Sequence, residues 1–177
     1  MNTCKTVVTP SIYVACLASY NAGILYGEWI SCDQDADDIL ADIQAMLAES
    51  NQPYAEDWRI DDYEGFEDLK VDDYHNLEKL SEVAQLIAKH GKAYSIYANN
   101  FCGDQYPSES DFESAYLGCY EDEEEFCYER WENDGKIDSL RELGIDPDYI
   151  DWEYVARDLD GYFIEKTGYK EIYVFIN

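Results

Sequence analysis

The start of the fold is decided by one stretch, Ile12–Cys32, which reads IYVACLASYNAGILYGEWISC. It holds two runs rich in β-branched and aromatic residues, 12–18 and 24–30, and such runs predict strands. Between them, Ser19 to Gly23 supplies the Asn and Gly that hairpin loops use. We therefore predict an antiparallel hairpin at the start of the chain.

The residues after the hairpin predict a helix and then a third strand, at 58–63. The apolar residues of the helix recur at i, i+4, i+7 and i+8: Ile39, Ile43, Met46 and Leu47. Alternating acids from Asp33 begin like a calcium loop, but Asp38 stands where that loop needs Gly, and Gln44 where it needs Glu. Acidic capping of the helix is the preferred interpretation.

The rest of the chain is mainly helical in pattern. Residues 77–88 carry an apolar stripe, Gly91 fits a C-terminal cap, and another helical stretch covers 92–99. Short helices are then predicted at about 111–118, 122–132 and 148–159. A closing hairpin has strands at 162–165 and 171–176 and turns at Thr167-Gly168.

These patterns predict an α+β fold of three small α/β modules in a row. Residues 1–60 form a small sheet plus a helix, 61–108 a helical middle module, and 109–177 an acidic module of short helices and a hairpin. We expect an elongated body with an acidic surface, because spreading like charges lowers their repulsion.

Acidic residues dominate the composition, with 40 Asp and Glu against 12 Lys and Arg and a formal net charge of −28. Proteins that bind nucleic acids or anionic membranes need a basic surface, which this composition does not provide. We therefore predict that neither a nucleic acid nor a membrane is a partner. The sequence contains no run of 18 apolar residues, so we predict no membrane-spanning segment. The first residues fit a signal peptide poorly. Six cysteines without zinc-type spacing are typical of free thiols in a reducing cytosol, so we predict a cytoplasmic protein.

Enzyme signatures are weak in this sequence. His75 and His90 have no partner motif, and nucleotide-binding loops and zinc-protease motifs are missing. A pair of carboxylates chosen from 40 carries no information without geometry. We therefore predict a protein that is not an enzyme and uses no cofactor or metal.

The last module concentrates the acidic charge. Divided at residues 60 and 108, the chain has acidic minus basic counts of 9−2, 10−4 and 21−6, so the last part holds −15 of −28. The acids predicted to form one surface are Asp111, Glu113, Glu121, Asp122, Glu123, Glu124, Glu125, Glu129, Glu132, Asp134, Asp138, Glu142, Asp148, Asp151, Glu153, Asp158 and Asp160. Solubility alone does not require such density, and close like charges cost stability.

A folded surface of this kind is suited to a basic binding groove. Duplex DNA carries about one charge per 1.7 Å of axis, so 28 net charges match about 48 Å of duplex and the 56 of a dimer match about 95 Å. Carboxylates held on helices can imitate rows of phosphates. Two alternatives have the same bulk numbers: a general acidic partner for basic proteins, and halophilic adaptation.

The stretch Ile12–Cys32, with DADDILADIQAML at 35–47, resembles the opening of the ArdA family of antirestriction proteins. DFESAYLGCYEDEEEF, at 111–126, resembles the antirestriction motif of that family. IDWEYVARDL at 150–159 and the closing YFIEKTGYKEIYVFIN resemble its C-terminal end. The similarity thus spans about residues 12–177, and the first eleven residues look like an extension.

The resemblance implies a DNA mimic carried on mobile elements. Such a protein occupies the DNA groove of type I restriction–modification enzymes, in their specificity and methyltransferase subunits, and works as a homodimer. The motif carries over as Asp111, Phe112, Ala115, Tyr116, Gly118, Tyr120 and Phe126. We expect Phe112, Tyr116 and Tyr120 at or near the dimer contact, with the core of the chain itself as the alternative.

Overall fold

A computed structural model describes residues 9–67, 69–71, 76–101 and 106–177. Its described residues belong to two compact units, 9–109 and 110–177. Each unit combines helices with a small antiparallel sheet, so the chain is a mixed structure consistent with the predicted α+β class. Within the described ranges, none of the helices is both long and apolar enough to cross a membrane.

The first unit is built on a three-stranded antiparallel sheet. Strand β1 (Ser11–Cys16) lies between β2 (Gly27–Ser31) and β3 (Trp58–Glu64), so the hairpin and the third strand are confirmed. The connection differs from the predicted loop, because Leu17–Asn21 forms a short helix, α1. Carbonyl oxygens of α1 accept hydrogen bonds from the amides of residues 22–24, and these local bonds favour a helical turn over extended strand.

Three helices complete this unit where the apolar patterns predicted them. Helix α2 (Ala36–Ala48) buries the four stripe residues named above, and α3 (Leu77–His90) is followed by α4 (Lys92–Phe101). Asp35 occupies the N-cap position of α2, but its side chain accepts no capping hydrogen bond, so the expected cap acts only through charge. The division into three modules at residues 60 and 108 stays a prediction.

The second unit has a second antiparallel sheet with helices inserted between its strands. In chain order the elements are α5 (Glu109–Ala115), β4 (Tyr116–Tyr120), α6 (Glu123–Asn133), α7 (Lys136–Glu142), a 3-10 turn (Pro147–Tyr149), α8 (Trp152–Val155), β5 (Tyr162–Gly168) and β6 (Glu171–Ile176). Strand β6 lies in the middle, in the order β4-β6-β5. The hydrophobic core of the second unit contains Phe126 and Cys127 of α6 packed with Ile172 and Val174 of β6.

The sequence-based prediction for this unit was wrong at three places. The helix expected over 111–118 ends at Ala115, and the next five residues form β4, because they pair with the distant β6. The helix expected over 148–159 is a 3-10 turn followed by one turn of α8, while α7 was not predicted. The closing hairpin is confirmed, although its turn lies at Tyr169 and Lys170, two residues later than predicted.

Candidate functional site

The predicted acidic residues lie on helices and connections of the second unit, and most face solvent. Asp122 and Glu123 are half-buried, and the other fifteen are exposed. They occur along α5, α6 and α7, around the 3-10 turn and α8, and in the connection before β5. Asp146, which the prediction of site residues omitted, is exposed in the same series. Secondary structure therefore holds the backbone of many of these carboxylates.

Some of these acids also shape the backbone. The side chain of Asp122 caps α6 by accepting a hydrogen bond from the Glu125 amide at 2.9 Å, and Glu125 in turn accepts one from the Glu121 amide at 2.6 Å. Asp151 caps α8 in the same way, through the amide of Tyr154 at 2.9 Å. Because an N-cap needs a short polar side chain and not a charge, these acids have a structural role besides any role in binding.

Aromatic contacts fix the inner face of α6. The ring of Phe126 packs edge-to-face on Tyr120 and Tyr162, with centroids 5.1 and 5.3 Å away. Trp131 packs on Trp152 at 5.3 Å. Glu124, Glu129 and Glu132 belong to the exposed remainder of the same helix. Helix α6 is therefore anchored on one side and carries its carboxylates outward.

All six basic residues of the second unit pair with acids of the same unit. Lys170 lies 2.9 Å from Glu121 and Lys166 2.6 Å from Glu123. The other pairs are Arg130 and Lys136 with Asp134, Arg141 with Asp138, and Arg157 with Glu153. With 20 acids and six bases, residues 110–177 keep a net charge of 6−20, or −14.

Aromatic rings also contact three of these cations. Arg130 lies over Tyr162 at 4.8 Å, Lys136 over Trp131 at 5.4 Å, and Arg157 over Tyr154 at 5.9 Å from the ring centroids. Such contacts add a further attraction that holds a cation against the unit. The positive charges are thus engaged within the unit, which keeps a surplus of negative charge.

Two pKa shifts reflect this surplus. The hydrogen bond to Glu121 raises the pKa of Lys170, so this ammonium stays charged. Burial, reinforced by Glu129 and Glu125, raises the pKa of Tyr120 to about 12, so its hydroxyl stays protonated at neutral pH. That hydroxyl donates to the Leu117 carbonyl at 3.2 Å.

The residues that resemble the antirestriction motif differ in burial. Three are buried, three are half-buried and one is exposed: Phe112, Ala115 and Phe126; Tyr116, Gly118 and Tyr120; and Asp111. Phe112 stacks on Tyr116 at 5.1 Å and contacts Phe175, and both Phe112 and Phe126 are buried. Tyr116 and Tyr120 therefore keep part of their surface exposed. A dimer contact at this motif stays a prediction, with Tyr116 and Tyr120 the residues best placed to make it.

His90 is occupied in the first unit. Its Nε2 lies 2.7 Å from the Glu109 carboxylate, which Lys89 also contacts at 2.5 Å, and these hydrogen bonds lower the pKa of Glu109. This agrees with the interpretation of an ordinary polar histidine. The other histidine, His75, lies outside the described residues.

Comparison with known proteins gives one family. The model of a family described as "Antirestriction protein (ArdA)" matches residues 12–171. Those residues cover nearly all of the 177-residue chain and both of its units. No curated protein matches the chain.

Proposed function

The chain belongs to the ArdA antirestriction protein family, and from that premise we propose that it inhibits type I restriction–modification enzymes by imitating B-form DNA. Its carboxylates take the place of phosphates in the groove formed by the specificity and methyltransferase subunits. While the inhibitor occupies the groove, DNA cannot enter, and restriction fails without any chemical step on the part of the inhibitor.

The observation that carries this proposal is the charge pattern of residues 110–177. Their six cations all pair internally, whereas the surplus carboxylates are largely exposed on helices and anchored turns. A basic groove that attracts DNA phosphates also attracts an ordered set of carboxylates, because opposite charges that face each other lower the free energy of association. Electrostatic complementarity also increases the rate of encounter.

The binding energy is spread over many contacts under this proposal. Each exposed carboxylate contributes little by itself, because solvent and salt screen it. We therefore expect single Asp or Glu substitutions to weaken inhibition only slightly. Complete loss from one exposed carboxylate would indicate a catalytic site instead.

The rest of the proposal follows the family resemblance. Two copies form a homodimer that doubles the length of duplex imitated, and the half-buried Tyr116 and Tyr120 lie near the contact between them. The protein acts in the cytoplasm, where restriction enzymes meet incoming DNA, and is carried on a mobile element that it protects.

The proposal is tested by competition for a type I methyltransferase assembled from its specificity and modification subunits. We expect the purified chain to displace labelled duplex DNA at near-stoichiometric amounts. Its affinity should fall steeply with salt, because mobile ions screen the contacts between its carboxylates and the basic groove. A flat salt response, or no displacement, would contradict DNA imitation.

A second titration tests the main alternative hypothesis, that the protein is a general acidic partner for basic proteins. The same titration is run on a histone-like DNA-binding protein. A specific mimic binds the restriction enzyme far more tightly than the histone-like protein at equal salt. Equal affinity for both would favour the general acidic partner.

A further inference from the structure

Residues 142–156 of the second unit expose large apolar side chains among their acids. Leu143 is 75% exposed, Tyr149 84% and Tyr154 68%, and Ile145 is also exposed. Isolated exposed apolar residues are ordinary on a protein surface. Here four occur within twelve consecutive residues, so exposed apolar side chains are concentrated in one segment.

The backbone of this segment is anchored, so these side chains are held outward. Helix α7 ends in a Schellman motif, in which the amide of Ile145 donates to the Leu140 carbonyl at 2.9 Å and that of Gly144 to Arg141 at 3.0 Å. Gly144 supplies the positive φ of 74° that this motif needs. Pro147 is buried, and its carbonyl accepts a hydrogen bond from the Trp152 indole at 3.2 Å. Exposure therefore follows from a defined local structure.

The charge of the segment restricts what can cover it. The segment carries five acids, Glu142, Asp146, Asp148, Asp151 and Glu153. Its two flanking bases pair with acids, Arg141 with Asp138 and Arg157 with Glu153, so the segment stays net negative. A second copy that presented the same segment would bring these acids against their equivalents, and like charges across an interface oppose association. A surface of lysines and arginines that borders an apolar patch matches both properties of the segment.

We propose that residues 142–156, the docking segment, dock on the restriction enzyme where its basic DNA groove borders an apolar patch, with Leu143 and Tyr149 as the anchors. This inference rests on the proposed function and adds a contact that DNA does not make. Burial of apolar surface depends little on ionic strength, whereas phosphate-like contacts weaken steeply with it. The docking segment thus keeps part of the affinity at salt concentrations that weaken the mimicry of charge.

The test uses the double variant Leu143→Ser/Tyr149→Ser, which leaves the net charge unchanged. Its Kd for the type I methyltransferase is measured at low and high salt. We expect the Kd to rise about tenfold at both salt concentrations, as truncation of interface anchors does, with the slope of log Kd against log salt unchanged. Neutralised acids would instead lower that slope.

Three further variants make the result specific. Tyr149→Ser alone should retain part of the effect, and Tyr149→Phe should bind like the wild type because the ring is kept. Tyr169→Ser is the matched control, since Tyr169 is 92% exposed in the same unit but lies beside Lys170. It should not change the Kd. Thermal melting checks that all variants keep the fold of the wild type.

The outcomes separate the inference from the function on which it rests. If the double variant binds as tightly as the wild type at both salt concentrations, the docking segment is refuted and DNA imitation stands. If sedimentation shows that the wild type is a dimer and the double variant a monomer, the surface belongs to the contact with a second copy and the inference is overturned. If the wild type itself does not bind the methyltransferase, the proposed function and the inference fail together.

Discussion

At the scale of single residues, close backbone approach explains a glycine in the opening stretch. A Cβ atom on Gly27 would lie 2.2 Å from the Val14 carbonyl oxygen across the β1–β2 pair. Real side chains do not tolerate such a distance, and here the neighbour is backbone that the sheet holds in place. Gly27 thus sets the close pairing of the first hairpin, and Gly23 provides the comparison because a Cβ there would meet open space.

We predict that Gly27→Ala destabilises the first unit by about 2 kcal/mol or more, as overpacking against fixed atoms does. Gly23→Ala should cost about 1 kcal/mol, from its positive φ of 76° alone. Urea unfolding followed by circular dichroism measures both values. Equal destabilisation by the two variants would show that the contact with Val14 is not what requires glycine at position 27.

Tyr120 makes the second unit sensitive to alkaline pH. Because the folded state raises its pKa to about 12 from an ordinary value of 10.0, the folded chain holds this proton when the unfolded chain has released it. The contribution to stability is complete below pH 10.0 and disappears as the pH rises toward 12. We predict that Tyr120→Phe weakens the dependence of unfolding free energy on pH in this window. Parallel pH curves for wild type and variant would refute the assignment.

At the scale of elements, α6 shows how one acid run meets two demands. Its first turn carries Glu123, Glu124 and Glu125, which suit the positive end of the helix dipole. Asp122 caps the same turn, and the aromatic residues of the inner face anchor the helix to the sheet. The acidic sequence therefore stabilises the helix on which the proposed binding groups stand.

We predict that Asp122→Ala lowers the stability of the second unit by about 1 kcal/mol, the usual cost of removing an N-cap. Asp122→Asn should keep the fold nearly unchanged, because an amide oxygen can still accept from the Glu125 amide. Thermal melting compares the two. If Asn costs as much as Ala, the charge of Asp122 and not its hydrogen bond stabilises α6.

At the scale of the whole molecule, both units are acidic but differ in charge density. Residues 110–177 carry −14 over 68 positions, and the remaining 109 residues carry the other −14. Self-repulsion of this size opposes folding and is relieved by salt. The fold accommodates it by pairing the cations of the second unit internally and leaving many of its acids in water.

We predict that Glu124→Gln, Glu129→Gln and Glu132→Gln together weaken inhibition strongly. They should also make the affinity less dependent on salt, because fewer screened charge contacts remain in the groove. The control is Glu49→Gln, Glu56→Gln and Glu82→Gln, three exposed acids of the first unit whose neutralisation changes the net charge equally. DNA displacement from a type I methyltransferase measures both sets. Equal effects would mean that net charge, and not the surface of α6, determines binding.

Local patterns made a large part of the structure predictable. The apolar stripe of Ile39, Ile43 and Met46 predicted α2, and the two runs around Asn21 predicted the hairpin, because burial of one face selects the period of the chain. The excess of acids in residues 109–177 was also evident, because it is a property of the composition. The family was also recognisable from three separated motifs, and the family match over residues 12–171 confirmed it.

Contacts distant in sequence decided the rest. Residues 116–118 lay within a predicted helix, yet pairing with β6 near the other end of the chain makes 116–120 a strand. Gly118, with its φ of 150°, permits the irregularity in that pairing. The internal pairing of Lys166 and Lys170 with Glu123 and Glu121 also requires the folded sheet, which brings these distant segments together. The sequence by itself therefore determined the periodic elements, the excess of acids and the family. Only the tertiary structure decided β4 and the internal pairing that leaves the surplus of charge outside. The physical reason is that contacts between residues distant in sequence lower the free energy only after folding has brought those residues together.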